Sequence, residues 1–187
     1  MNIFVKTKTI TMNQLVKSKG LKFGLIYGTF LIFLTLYAYA IDLNFFVSYW
    51  NLVLVILSFF VSAFWVMGSL KREQLGFMNF KEGFTVFFIT NTLALFLSTI
   101  FTILIFVLLD PELQVTVKEL SIIKQTEMME YFNTPIDIIE KNIEEQSNSD
   151  NFSLVNQIKG YFSSLVIVSI VGLLLALILK KKDEDNY

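Results

Sequence analysis

FTVFFITNTLALFLSTIFTILIFVLL, residues Phe84 to Leu109, decides the class of this chain. Eighteen of these 26 residues are Leu, Ile, Val or Phe, none is charged, and the polar remainder is Thr, Ser and a single Asn. Each Leu, Ile, Val or Phe favours insertion of a helix into a bilayer by roughly 0.3–0.6 kcal/mol, so insertion of this block is strongly favoured. A helix of that length is about 39 Å long, more than the ~30 Å of hydrocarbon it must cross, so it has to tilt or protrude.

Working outward, three further blocks match it: Phe23 to Ile41, Trp50 to Leu70 and Tyr161 to Leu179, again without Lys, Arg, Asp or Glu. Hydrophobic residues make up 55% of the 187 residues and charged ones only 17%; the mean hydropathy is +0.63. Soluble domains do not have this balance, and their apolar residues are spread at amphipathic spacing instead of gathered in blocks. The expected fold is an all-α integral membrane protein: four transmembrane helices in a bundle. The expected organisation is a basic cytoplasmic N-terminal segment (1–22), spans one to three (23–109), an acidic helical outer loop (110–160), span four (161–179) and a cytoplasmic tail (180–187).

Charge sets the expected orientation. Lys6, Lys8, Lys17, Lys19, Lys22, Lys71, Arg72, Lys81, Lys180, Lys181 and Lys182 fall on one side of such a bundle, against four lysines on the other, all in the long third loop. By the positive-inside rule both termini are cytoplasmic. Trp50, Trp65, Tyr37, Tyr39 and Tyr49 fall near span ends, where amphipathic rings favour the interface. Ala38, Tyr39 and Ala40 form an AxA sequence that raises a cleaved signal peptide as a rival. Signal cores have roughly 7–15 apolar residues, however, and this run is longer. Mature protein beginning at Ile41 would overturn the four-span reading.

Small residues mark expected packing faces. Gly20, Gly24 and Gly28 are spaced by four and lie on one ridge of span one, where a second backbone can approach closely. Gly172 and Ala176 make a similar patch on span four, and Thr90, Ala94, Ser98 and Thr102 form a row on span three. Depth matching predicts that span one packs on span four, with the row of span three lining the bundle centre. The glycine row serves self-association equally well, so a homo-oligomer is an open alternative.

The loops differ. Asp42 to Tyr49 reads as a tight turn, and Lys71 to Gly83 as a short connection with Phe77, Met78 and Phe80 at the interface. Residues 110–160 carry ten acids against four lysines and read as a helical excursion. Glu112 to Phe132 is predicted helical, with Leu113, Val117 and Leu120 on one face. A second helix is predicted from Thr134 as cap and Pro135 as first residue, with Asp137 in its first turn. Ile136, Ile139 and Ile143 form its apolar stripe, and Asp137 pairs with Lys141. SNSDN at 147–151 should break it, with 152–159 running on into span four.

Chemistry is searched for directly. The chain has no His and no Cys, which removes imidazole bases, thiolate nucleophiles and the common zinc sites; no nucleotide-binding, hydrolase or EF-hand motif is present. No catalytic residue, cofactor or metal site is expected. Asn91 is the strongest polar group inside a span and is read as an interhelical hydrogen-bonding residue. Glu119, Glu127, Glu130, Glu140, Glu144 and Glu145 lack the alternating, Gly-turned arrangement of a calcium loop; they are read as a solvated face able to recruit a basic or helical protein partner. Lys180 to Lys182 reads as an anchor for anionic lipid.

Several features together resemble a family of four-span bacterial membrane proteins known as domain of unknown function 4199. They are the glycine-bearing first span, Lys71-Arg72 after span two, GFMNFKEGF at Gly76 to Phe84, Asp110-Pro111, and EMMEYFNTPIDIIEK ahead of span four. The resemblance implies a bacterial cytoplasmic membrane and no assigned activity, with residues 1–11 an extension beyond the shared region. The expected role is non-catalytic: a structural, accessory or partner-binding membrane protein acting through its acidic outer helices, in contact with lipid. The alternative is a small oligomeric channel or carrier. No nucleic-acid partner is expected.

Overall fold

The computed structural model describes residues 2–181, with side chains from residue 14 onward. The side chains of Lys6 and Lys8, and the tail from Lys182, lie outside the described residues. Six helices follow one another: α1 (Asn2–Ala40), α2 (Tyr49–Glu73), α3 (Phe80–Ile103), α4 (Leu113–Tyr131), α5 (Ile136–Ser147) and α6 (Leu154–Leu179). Four stretches are long and apolar enough to cross a membrane: Gln14–Ala40, Tyr49–Glu73, Phe80–Leu109 and Leu154–Leu179. The chain is an all-α, multi-pass membrane protein with four spans.

Each span is longer than its apolar block because local signals set the ends. α1 runs on through the basic segment, where no proline stops it, and lysine is a good helix former. α3 begins in a capping box: the Asn79 side chain accepts from the Glu82 amide (2.9 Å), and the Glu82 carboxylate accepts from the Asn79 amide (3.1 Å). α6 starts at Leu154, with the Ser153 hydroxyl accepting from the Asn156 amide. At its far end α3 widens into a π-helical turn, Leu104–Leu109, closed by the Asp110 amide donating to the Ile105 carbonyl (2.8 Å). Pro111 stops it there, because the residue before a proline is pushed out of helical geometry; Asp110 has φ −142° and ψ 76°.

α3 is the central element. Its largest interface is with α1, its next largest with α6, and α2 packs on both α1 and α3, while among the described residues α1 and α6 share no substantial interface. The expected pairing of span one with span four is therefore corrected. The glycine row of α1 receives α3: a Cβ at Gly20 would lie 2.8 Å from Ile89, one at Gly24 3.0 Å from Leu93 and from the Thr90 carbonyl, and one at Gly28 2.9 Å from Leu97. Each step of four on α1 matches a step of four on α3, so the two helices run parallel in one register. The Thr90 hydroxyl crosses this seam to the Gly20 carbonyl (3.3 Å).

Gly172 on α6 meets the other side of α3. A Cβ there would lie 2.6 Å from the Phe87 ring, and Ala176 comes against Gly83, so α6 runs antiparallel to α3. Similar depth did not make α1 and α6 neighbours because both small patches face α3 from different sides.

The two ends of the bundle are built differently. At the end bearing the basic residues, the Lys19 ammonium lies 2.6 Å from both the Ser69 hydroxyl and the Glu73 carboxylate, joining α1 to α2. Gly76, at φ 92°, makes the turn out of α2. Met78 then pairs with Lys181 through two backbone hydrogen bonds of 2.9 Å, an isolated β-bridge that ties the second loop to the residues after α6. Met78, expected at the interface, is fully buried, its side chain laid over Gly83.

At the opposite end the 30-residue stretch Phe80–Leu109 is about 45 Å long, well beyond the hydrocarbon thickness. Part of its apolar surplus is covered by protein, while Leu108 and Leu109 stay exposed. Ile105 and Phe106 are buried with Leu113 and Val117 of α4, with Phe46 from the 3₁₀ turn Leu43–Val47 and Phe152 ahead of α6 packed around them.

Candidate functional site

The acidic excursion stands outside the four spans, and it is held on the bundle, not loosely tethered. Phe106 is its anchor: its ring stacks on Phe152 (centroids 4.8 Å, 8°) and meets Phe46 edge-on (5.3 Å, 76°). Its carbonyl, freed by the widened helix turn, accepts the Gln114 side-chain amide at 2.6 Å. α4 thus leaves the bundle in a fixed direction, with Leu113 and Val117 buried and Leu120 half-buried.

α5 folds back along α4. Ile139 is buried, Ile143 is half-buried and Ile136 is exposed, so only part of the predicted stripe is used. The Lys118 ammonium donates to the Ser147 carbonyl, and the Gln146 amide donates to the side chains of Gln125 and Asn142. These contacts border a polar hollow of about 260 Å³ between the two helices and residues 149–152 ahead of α6. Two local expectations are corrected. α5 begins at Ile136 with Pro135 as the capping residue, and no side chain caps it. Lys141 pairs with Glu145 (3.8 Å) instead of Asp137, although both acids lie one turn from it.

Glu119, Glu127, Glu130, Glu140, Glu144 and Glu145 are all exposed. Ion pairs among the described residues engage Glu127, with Lys124 at 2.7 Å, and Glu145, with Lys141; Glu119, Glu130, Glu140 and Glu144 face solvent as acids. The hydrogen bond from Lys124 to Glu127, reinforced by the carboxylate charge, raises the Lys124 ammonium above its ordinary pKa. Among the described residues no group of three or more acids gathers closely enough to hold a metal ion.

Inside the spans the small-residue row of α3 is split. Thr90 and Ala94 are fully buried in the seam with α1, whereas Ser98 and Thr102 are half-buried and Thr102 bonds back to the Ser98 carbonyl (2.9 Å). Asn91 is fully buried but makes no interhelical bond: its amide donates to Phe87 one turn back (2.9 Å), and its side-chain oxygen has no partner. That corrects the expectation of a bridge between helices. A buried acceptor left without a partner costs stability instead of adding it, but in membranes side-chain hydrogen bonds average only about 0.6 kcal/mol. Asn91→Leu should accordingly shift unfolding in detergent by less than about 1 kcal/mol in either direction; a larger loss would mean that the oxygen has a partner in the folded protein.

A second site was legible only in retrospect. Phe23, Ile26, Tyr27 and Phe30 on α1 face Leu54, Ser58 and Trp65 on α2 across a groove of about 340 Å³. Phe23 and Trp65 meet edge-on at 5.2 Å, and the Tyr27 and Ser58 hydroxyls lie 3.4 Å apart. Ser58, Ser62 and Trp65 recur at helical spacing, and so do Phe23, Tyr27 and Phe30. The signal is in the sequence, where Trp65 also fits the membrane interface.

No curated protein and no solved structure matches the chain. One family does, over residues 22–181, a stretch that opens just ahead of Phe23 and closes at the Lys181 bridge. On that match the chain belongs to the family described as Protein of unknown function (DUF4199).

Proposed function

We propose that the protein is a non-catalytic component of a bacterial cytoplasmic membrane, with both termini in the cytoplasm, that presents its acidic helix pair on the outer face to a basic or helical protein partner. The observation that carries this reading is the contrast within the excursion. Its apolar side is locked to the bundle through Phe106, while all six of its central glutamates are exposed. A loop with no binding role has no need of such anchoring, since long surface loops are tolerated at little cost when flexible. The distribution of lysines supports the orientation.

Rim charges of this kind steer encounter and select partners more than they add affinity. The test is purification from native membranes in mild detergent, comparing the unaltered chain with a Glu119→Gln, Glu130→Gln, Glu140→Gln, Glu144→Gln variant. A companion present in fixed ratio with the first and lost with the second is the expected result. Recovery of both chains alone, or with the same companions, would overturn it.

A further inference from the structure

The groove between α1 and α2 lies within two spans, so its surroundings are bilayer. Along α1 it extends from Phe23 to Phe30, and along α2 from Leu54 to Trp65, about 10–16 Å at 1.5 Å per residue. That is roughly one leaflet of a ~30 Å hydrocarbon core. Spread over this length, 340 Å³ gives a cross-section of about 25 Å². A helix with its side chains is about 10 Å across and needs roughly 80 Å², too wide to sink into the groove. A single hydrocarbon chain, with carbons in contact at about 4 Å, needs roughly 16 Å².

The mouth of the groove carries charge. Arg72 lies seven residues beyond Trp65, on the same face of α2, and is exposed; its Nε is 3.4 Å from the Gly68 carbonyl, which leaves the terminal nitrogens of the guanidinium for another acceptor. Lys22 lies one turn before Ile26 on α1 and is also exposed. Lys19, the other cation on this face, is occupied by Ser69 and Glu73. Glu73 opposes an anion here, but its charge is already matched by Lys19.

We infer that the α1–α2 groove is a phospholipid site: one acyl chain fills the space from Trp65 to Phe30, and Arg72 and Lys22 hold an anionic headgroup at its basic end. An apolar groove in the hydrocarbon region does not hold water, and left empty it forfeits the contacts its walls would make. The occupant is therefore a bilayer lipid, and the two cations select it by charge.

The chain has two tryptophans, so Trp50→Phe leaves Trp65 as sole reporter. The protein is reconstituted in vesicles in which either phosphatidylglycerol or phosphatidylcholine carries brominated acyl chains, and quenching is read against mole fraction. Phosphatidylglycerol should quench Trp65 at roughly 25-fold lower mole fraction, and Arg72→Gln or Lys22→Gln should each remove about fivefold of that preference, the effect of one basic residue near an anionic surface. A second reporter, Leu177→Trp in a chain with Trp50→Phe and Trp65→Phe, sits on the exposed face of α6 near Lys180 and senses the general lipid shell. An equal preference there, equal quenching by both lipids at Trp65, or protection of Trp65 as protein is crowded in the bilayer, which would mean that a second copy covers the groove, would each overturn the site.

Discussion

Gly24→Leu should break the seam between α1 and α3 and cost about 3 kcal/mol, the upper part of the range for overpacked interiors. The magnitude follows from what surrounds the position. A Cβ at residue 24 would already sit 3.0 Å from the Leu93 Cβ and 3.0 Å from the Thr90 carbonyl oxygen. Neither is the movable tip of a side chain, so the remaining atoms of leucine fit only if the helices separate. Separation would also break the hydrogen bond from Thr90 to the Gly20 carbonyl. Because apolar burial offers little drive between helices in lipid, the loss of close contact is not made up elsewhere. Gly172→Leu should behave similarly, since a Cβ there would meet the buried Phe87 ring at 2.6 Å. Gly68 and Gly160 supply the comparison: nothing lies within 4 Å of a Cβ at either, and leucine there should leave stability level or raise it by up to about 1 kcal/mol through helix propensity. Thermal unfolding of the four variants in one detergent reads the difference; equal behaviour of Gly24 and Gly68 would show that the seam is not closely packed.

Phe106→Ala should have the second large effect, and a localised one. Phe106 is 1% exposed, contacts Phe152 and Phe46 through its ring and holds α4 through its carbonyl. Truncating a buried Phe to Ala costs about 3–5 kcal/mol in well-packed interiors. The cavity here lies under α4, beside the 3₁₀ turn of the first loop, not among the spans. Amide hydrogen exchange should therefore rise sharply across residues 113–147 while α1, α2 and the first turns of α3 keep their protection. Gln114→Ala, which leaves the aromatic cluster intact, should loosen the same region much less. Uniform loss of protection throughout the chain would show instead that the excursion and the bundle form one cooperative unit.

The number of spans and the helical class were legible because insertion depends on composition summed over about twenty residues, and errors at single positions hardly change the sum. Neighbour relations were not. Gly20, Gly24 and Gly28 announced a close approach, yet a glycine records only that something comes near, and strips on α3 and α6 were both eligible at that depth. Phe84 and Phe87 decided against α6: their large rings fill the space at Gly172, whereas the α1 glycines take Ile89, Leu93 and Leu97. The capping box at Asn79 and Glu82 has a legible three-residue spacing. The anchoring of the excursion was beyond local reading, because Phe46, Phe106, Val117 and Phe152 come from four separate segments. The six glutamates were readable as an exposed face because charged groups seldom lie buried without partners.

The bridge between Met78 and Lys181 also sets an order in time. Chains are made from the N-terminal end, at about 5–20 residues per second, so α1, α2 and α3 are in place for at least several seconds before residue 181 is added. Through that interval Met78 has no bridging strand, and Gly83 and Phe87 of α3 wait for the Ala176 and Gly172 patch of α6. Biogenesis of the bundle accordingly ends with a backbone latch that only a finished last helix can close.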